Sequence, residues 1–393
     1  MAVNTSDSTL SLYIHIPWCI RKCPYCDFNS HKSPEHLPEE HYVNALIADL
    51  KHDLERFPGR TIHSLFIGGG TPSLFSAKAY DILFNAIQPL LPFSNDIEIT
   101  LEANPGTVEQ QRFNDYRKLG INRLSIGIQS FNLIHLKALG RIHDGHQAHR
   151  AIDAARLAGF DNINIDIMHG LPNQTYSEGM TDLRTALDHQ PEHLSWYQLT
   201  IEPNTVFYKT QPALPTEDDA YALEEDGFAL LNSMHYNRYE ISAFCQADKP
   251  ARHNLNYWLF GDYYGIGAGA HGKLTSADGK QLYRTRKHRQ PTDYLNPEKP
   301  FLSACNLLSA DDLMFEFMLN ATRLQQPIAN SLFTERTGLD FNLLTPGLLT
   351  AQNKGLITMN NTHWQITPFG RRYTNDLQAL FLLDGPAGPS DTP

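Results

Sequence analysis

The chain has 393 residues, of which 41% are hydrophobic and 19% charged, and its formal net charge is −11. That size and hydrophobic content allow a large buried core and predict one big domain with a smaller one. The acidic balance argues against broad binding to nucleic acid or anionic lipid, because both favour a basic surface.

The N-terminal segment and the cysteines bear on where the protein works. Residues 1–10 contain neither the basic nor the apolar region of a signal peptide. No stretch reaches the roughly eighteen apolar residues that a membrane span requires. Three of the five cysteines lie close together near the N-terminus, a spacing that is typical of a metal site rather than a disulfide framework. A reducing compartment is expected, most simply the cytoplasm.

The first half of the chain alternates short apolar strands with amphipathic helices. Residues 43–57, for example, place apolar side chains at steps of three and four, which predicts a helix with one buried face. The alternation favours parallel βα units in an α/β fold, an incomplete (β/α)6-type barrel. The predicted strands are residues 12–16, 62–67, 97–101, 123–128, 162–167 and 194–201.

Polar or glycine-rich segments follow the ends of these strands. In parallel α/β folds the carboxyl ends of the strands meet at one edge, where binding sites form. We therefore expect these groups to share one mouth. They are the three cysteines after the first strand, Gly68, Gly69, Gly70 and Thr71 after the second, Glu102 at the third, Gln129 after the fourth and Asp166 at the fifth.

The second half of the chain carries weaker signals. Residues 265–270 alternate glycine with other small or apolar residues, and the following residues 271–280 look like a loop, so a tight turn is predicted rather than a dinucleotide site. The predicted domains are an N-terminal tail (1–11), an α/β core (12–210), an extension of that core (211–300), a C-terminal domain (301–383) and a disordered tail (384–393).

The C-terminal domain is predicted to be winged-helix-like. A helix, a two-stranded hairpin and a further helix are expected over residues 343–353, 356–359, 363–367 and 369–382. Its few basic residues, Lys354, Arg371 and Arg372, form no stripe, so structural capping or partner docking is favoured over DNA binding.

Cys19, Cys23 and Cys26 form a C-x3-C-x2-C motif directly after the first strand. Three thiolates suit a [4Fe-4S] cluster that leaves one iron open to another ligand. They also suit zinc, if His15 or His31 supplies a fourth ligand. A third interpretation is a thioredoxin-like redox pair formed by Cys23 and Cys26, although such a pair should open a helix.

Several further segments join the cysteines in a resemblance that spans residues 12–382. Together they resemble the oxygen-independent coproporphyrinogen III oxidase-like radical S-adenosylmethionine (SAM) proteins, and among these the heme chaperones match best. The segments are YIHIPWC at 13–19, GGGTP at 68–72, EANPG at 102–106, GIQS at 127–130, GRIH at 140–143 and NIDIMHGLP at 164–172.

The resemblance implies a radical SAM barrel whose cluster is held by Cys19, Cys23 and Cys26 and whose open iron binds SAM. Arg141 would pair with the SAM carboxylate through its guanidinium fork. Glu102, Gln129 and Asp166 would bind the ribose and adenosine side. No catalytic residue is assigned. The remaining implied SAM contacts are Tyr13, Tyr25, Gly68, Gly69, Gly70, Thr71 and Thr200.

Residues 253–258, HNLNYW, match a heme-chaperone motif and make His253 a candidate heme ligand, although an isolated histidine is more often a hydrogen-bonded core residue. No Cys-x-x-Cys-His segment indicates c-type heme attachment. The implied partners are heme, heme-acceptor proteins and a reduced flavodoxin- or ferredoxin-type electron donor, with a homodimer allowed and nucleic acid not expected.

Two departures separate the chain from the oxidases that the resemblance includes. Phe28 stands where those enzymes carry a fourth cysteine, and only eleven residues precede Leu12. Both favour a heme chaperone that binds heme and transfers it to acceptor proteins. The alternative is a coproporphyrinogen III oxidase or another radical SAM enzyme of tetrapyrrole metabolism. SAM cleavage is allowed in principle, but oxidase activity is not expected.

Overall fold

The computed structural model describes residues 9–382, apart from the side chains of residues 107–110. The predicted disordered tail and most of the predicted N-terminal tail lie outside the described residues. Twelve strands form one central sheet. In chain order, β1 to β12 are Leu10–Ile16, Ile62–Gly69, Phe93–Ala103, Arg123–Gln129, Ile163–His169, His193–Gln198, Asn237–Arg238, Ala243–Cys245, Asp262–Ile266, His271–Thr275, Leu282–Lys287 and Leu302–Leu307.

The six predicted strands are present as β1 to β6, and they pair in parallel in sequence order. Their apolar side chains are almost completely buried, as parallel strands covered on both faces require. The α/β fold class is therefore confirmed. The helices between these strands are Glu39–Arg56, Ala77–Ile87, Thr107–Lys118, Leu133–Ala138, Gly145–Leu157 and Tyr176–Asp188, with a 3₁₀ turn at Pro72–Leu74.

A seventh parallel strand, β9, lies on the other side of β1, where Leu10 pairs with Asp262. The prediction of a loop at residues 271–280 is wrong at its start, because residues 271–275 form β10. Gly267 and Gly269 have φ of 103° and 83°, so the chain can reverse between β9 and β10. β10, β11 and β12 then extend the sheet with antiparallel pairing, while β8 and β7 extend it beyond β6.

The C-terminal region has a second hydrophobic core around Phe317, Leu348 and Trp364. The predicted hairpin is present at Ile357–Met359 and His363–Ile366, and Ile328–Ala329 adds a third strand. The predicted last helix is two short helices, since Tyr373 leaves helical geometry with φ −117° and ψ 39°. The helices here are Ala310–Ala321, Asn330–Thr337, Thr345–Asn353, Pro368–Arg372 and Thr374–Ala379, with a 3₁₀ turn at Phe341–Leu343.

Shorter elements connect these parts. They are the strands Trp18–Cys19 and His31–Lys32 and the helices Val206–Thr210, Glu217–Ser233, Arg252–Trp258 and Pro291–Tyr294.

The domain boundaries stay predictions, although strands on both sides of residue 210 belong to the same sheet. Within residues 9–382, no helix has both the length and the apolar character needed to cross a membrane.

Candidate functional site

The three cysteines lie on a loop at the carboxyl end of β1. Cys19 belongs to the short strand Trp18–Cys19, which pairs in parallel with His31–Lys32 and so closes the base of the loop. Between these strands, the amide of Cys26 donates to the carbonyl of Cys23 at 3.2 Å in a turn, not a helix. All three thiols are free and partly exposed. A turn at this position counts against the thioredoxin-like interpretation.

The zinc interpretation is also disfavoured by the geometry. Both ring nitrogens of His15 are hydrogen-bonded, Nδ1 to the Tyr13 hydroxyl at 2.9 Å and Nε2 to the Asn29 carbonyl at 2.8 Å. Nε2 of His31 lies 3.1 Å from the Arg289 carbonyl. The two histidines that could supply a fourth zinc ligand are therefore engaged by other groups of the protein.

Without a histidine ligand, the metal-binding groups of this loop are the thiols of Cys19, Cys23 and Cys26. Three thiols without a fourth protein ligand fit a [4Fe-4S] cluster with one open iron. Burial is the main reason why the pKa values of Cys19 and Cys26 are raised. A metal or cluster held by these thiols would have to displace their protons, as metal binding to cysteine generally does.

Arg141 lies beside the cysteine loop. Its Nη1 is 3.7 Å from Cys23 Sγ, and its Nη2 donates to Asn104 Oδ1 at 2.5 Å and to the Gly127 carbonyl at 2.6 Å. The guanidinium fork is thus partly engaged by the protein itself. Asn104 was not singled out from the sequence, although it stands within the EANPG segment that contributed to the resemblance.

A cavity at the carboxyl ends of β2 to β6 brings together four of the predicted SAM contacts, and we call it the strand-end cavity. Its lining includes Thr71, Glu102, Gln129 and Asp166. The prediction that strand-end groups share one mouth is confirmed for these residues, because parallel topology places every strand end at the same edge. The cavity is also lined by Asn104, Ser125, Gly127, Ser195 and Tyr197.

Two carboxyl groups dominate the electrostatics of the strand-end cavity. Burial, followed by repulsion from Asp166, raises the pKa of Glu102 to about 7, although the Gly69 amide donates to its Oε2 at 3.1 Å. Burial also raises the pKa of Asp166, while Ser125 and Asn164 donate to it at 3.1 Å and 2.8 Å. Closely spaced acceptors of this kind fit a ligand that presents hydroxyl groups and positive charge.

Gln129 reaches the cavity by an uncommon backbone conformation, with φ of 72°. Its side-chain Oε1 accepts a hydrogen bond from the Tyr197 hydroxyl at 2.9 Å. A non-glycine residue at positive φ is costly and is often found at a functional site. Tyr197 is a further lining residue that no sequence motif indicated.

Other predicted SAM residues lie elsewhere. Thr200 is exposed and donates to Glu202 at 2.9 Å, outside the residues that line the cavity. The ring of Tyr25 packs beside Phe207, with centroids 6.3 Å apart. At Gly70 a Cβ atom would stand 2.5 Å from the Trp18 carbonyl oxygen, so close chain packing already requires glycine there. The roles of these residues toward SAM stay predictions.

His253 is a buried residue with only 1% of its surface exposed. Its Nδ1 lies 3.0 Å from Ser64 Oγ, and its Nε2 lies 2.7 Å from the Tyr257 hydroxyl. Burial lowers its pKa to about 3. This is the geometry of the core histidine that we gave as the alternative, and neither nitrogen faces an open ligand position. The heme-ligand role stays a prediction that would require this packing to open.

A second cavity adjoins the strand-end cavity, and both are lined by Phe28 and Glu102. We call it the rim cavity. It is formed on one side by the cysteine loop, which we call the cluster loop, and on the other by β9, β10, β11 and the residues that follow β11. The sequence did not indicate it, because no motif covers its outer residues. It is lined by Tyr13, His15, Phe28, Asn29, Gly69, Glu102, Tyr257, Tyr263, Gly269, His271, Arg286 and Arg289.

A three-cysteine loop that follows the first strand of a parallel sheet, beside a polar strand-end cavity, defines a radical SAM protein. The sequence model of the Radical SAM superfamily matches residues 13–186, and that of the HemN C-terminal domain matches residues 308–373. The C-terminal core described above therefore corresponds to a domain that accompanies the radical SAM fold.

The chain belongs to the HemW family of heme chaperones. It is 47% identical over 379 residues to the heme chaperone HemW of Haemophilus influenzae, covering 95% of this chain and 98% of that protein. The heme chaperone HemW of Bacillus subtilis is 32% identical over 379 residues, with 95% and 99% covered. The structure of the coproporphyrinogen III oxidase HemN from Escherichia coli matches with a TM-score of 0.80, 22% identity and coverage of 95% and 90%, which shows a shared fold.

Proposed function

We propose that this chain binds heme and transfers it to acceptor proteins in the cytoplasm. The observation that carries the proposal is the 47% identity to curated heme chaperones across nearly the full length of both chains. A likeness of that extent covers the cluster loop, the strand ends and the HNLNYW segment together. The five free cysteines agree with a reducing compartment.

The same proposal includes a [4Fe-4S] cluster and SAM as resident groups. Cys19, Cys23 and Cys26 hold the cluster, and Glu102 and Asp166 accept hydrogen bonds from the ribose hydroxyls. Arg141 keeps a positive charge between the cysteine loop and Asn104, where a carboxylate ligand is stabilised. When bound, SAM on an iron–sulfur cluster supplies one-electron chemistry. A reduced flavodoxin- or ferredoxin-type donor and a homodimer remain part of the prediction.

Oxidation of coproporphyrinogen III is not advanced as a second function. Phe28, at the position of the oxidases' fourth cysteine, is 62% exposed and lies where the two cavities adjoin. The likeness to the oxidase HemN is a likeness of fold at 22% identity and carries no activity.

The test is a pair of assays on the full chain after anaerobic reconstitution of the cluster. A heme titration should show saturable binding with a defined Soret shift, and incubation with coproporphyrinogen III, SAM and a reductant should yield no protoporphyrinogen IX. Because heme adheres to apolar surfaces nonspecifically, saturation at a fixed stoichiometry is the criterion. Robust decarboxylation, or heme uptake without saturation, would overturn the proposal.

A further inference from the structure

The rim cavity has a wall of aromatic side chains and an outer edge of cationic and imidazole groups. Tyr257 and Tyr263 pack edge to face on one wall, with ring centroids 4.5 Å apart. Phe28 from the cluster loop lines the same cavity. Aromatic surfaces of this kind commonly bind flat apolar ligands, and the polar groups of such a ligand lie at the edge of the cavity.

His271 and Arg286 are brought together by strand pairing. His271 begins β10 and stands directly opposite Arg286 of β11 in the antiparallel register. Side chains of directly opposed residues lie on the same face of a sheet. Both side chains are exposed and line the rim cavity.

Arg289 is fixed to the cluster loop through its backbone. Its carbonyl accepts hydrogen bonds from Asn29 Nδ2 at 2.9 Å and lies 3.1 Å from His31 Nε2. The edge that carries the arginines is therefore tied to the segment that follows Cys26. A ligand in the rim cavity would lie beside the cluster loop.

His15 and His271 line this cavity and His253 contacts its lining residue Tyr257, and the three rings differ in what their nitrogens contact. Both nitrogens of His15 and of His253 have hydrogen-bond partners. For His271, no hydrogen bond to the ring is formed within residues 9–382.

We propose that the rim cavity is the heme site, with His271 as the axial ligand of the iron and Arg286 and Arg289 binding the propionates. Imidazole is a common axial ligand of heme iron. Guanidinium groups pair with carboxylates through forked hydrogen bonds. His253 then acts as a positioning residue, since it holds the hydroxyl of Tyr257 at the cavity wall. The assignment rests on the proposed heme-binding function.

The test titrates ferric heme into the full chain with its cluster reconstituted. His271→Ala should lower heme affinity by at least about tenfold and shift the Soret band, and added imidazole should restore the band position. His363→Ala, which removes an exposed histidine from the C-terminal sheet, is the matched control and should behave like the parent. Unchanged iron content of the cluster shows that each variant is folded.

The arginines have their own readout. The double change Arg286→Gln with Arg289→Gln should weaken heme binding while leaving the Soret position unchanged. Binding of heme dimethyl ester, which lacks the propionate charges, should be insensitive to that change. Equal weakening for heme and its ester would overturn the propionate assignment.

The outcomes separate the two proposals. If the parent shows no saturable binding, the proposed function fails and the site assignment fails with it. If the parent binds heme saturably and His271→Ala binds it with unchanged affinity and spectrum, only the assignment of His271 is overturned. Loss of the histidine-ligated spectrum in His253→Ala would then identify His253 as the ligand.

Discussion

The strand-end cavity and the rim cavity are built from one sheet in different ways. In the first, Glu102, Gln129 and Asp166 meet because parallel strands all end at the same edge. In the second, His271 meets Arg286 because antiparallel pairing sets them opposite each other. Parallel topology makes the first site predictable from strand ends alone, whereas the second depends on a register that no local pattern reveals.

The largest expected effect is the loss of bound iron when a cysteine of the cluster loop is replaced. Changing Cys19, Cys23 or Cys26 to Ala should abolish the bound iron, about four atoms per chain in the parent, because each supplies one of only three thiolates. Iron analysis and the visible band after anaerobic reconstitution measure this.

Cys305→Ala is the matched control, since this partly exposed cysteine lies in β12, away from the loop. It should retain the parent's iron. Stoichiometric zinc in the native protein with no iron retained would contradict the cluster assignment.

The next prediction compares the contributions of His253 and His271 to the free energy of unfolding. His253→Ala should lower the free energy of unfolding by about 3 kcal/mol, because it opens a cavity and removes the partner of the buried Tyr257 hydroxyl. His271→Ala, at an exposed position, should change it by less than about 0.5 kcal/mol. Denaturant unfolding measures both.

His253→Gln offers a sharper version, because an amide can still bond Ser64 or Tyr257 and should recover part of the loss. Equal stability of the His253→Ala and His271→Ala variants would show that His253 is not the core residue described here.

Glu102 should make the protein without SAM less stable at alkaline pH. Its pKa rises from 4.5 unfolded to about 7 folded, so its contribution is fully present below pH 4.5 and is lost as the pH rises through 7. Glu102→Gln should remove that part of the dependence and raise stability at pH 8 by roughly 2 kcal/mol. Unfolding measured from pH 5 to 8 tests this.

Asp166 titrates in the same cavity, with its pKa also raised, and stays in place in the Glu102→Gln variant. A residual pH dependence of the same sign is therefore expected. Glu298→Gln, an exposed carboxyl elsewhere, should leave the parent profile unchanged. Identical profiles for parent and Glu102→Gln would contradict the raised pKa.

The smallest effect concerns Arg141. SAM should change the electron paramagnetic resonance spectrum of the reduced cluster, and Arg141→Lys should raise the SAM concentration needed for that change by about tenfold. The reason is that an ammonium group cannot reproduce the contacts to Cys23, Asn104 and Gly127 together. A spectrum that is indifferent to SAM in the parent would remove the argument for an open iron.

Local spacing and strand periodicity determined much of this protein in advance. The three cysteines were predicted as a site because their separation is short in the chain, and β1 to β6 because alternating apolar strands and helices leave few other arrangements. Glu102 and Asp166 could be placed at one mouth for the same topological reason.

Only the tertiary structure decided which histidine rings are buried and how the strands of the second half of the sheet pair. His253 carries a motif, yet whether its ring is buried depends on Ser64 and Tyr257, which come from different elements. β9 pairs with β1 across about 250 residues of chain, and the opposition of His271 and Arg286 depends on a register set by long-range packing. Contacts between residues far apart in sequence leave no periodic trace, so they become visible only once the sheet is assembled.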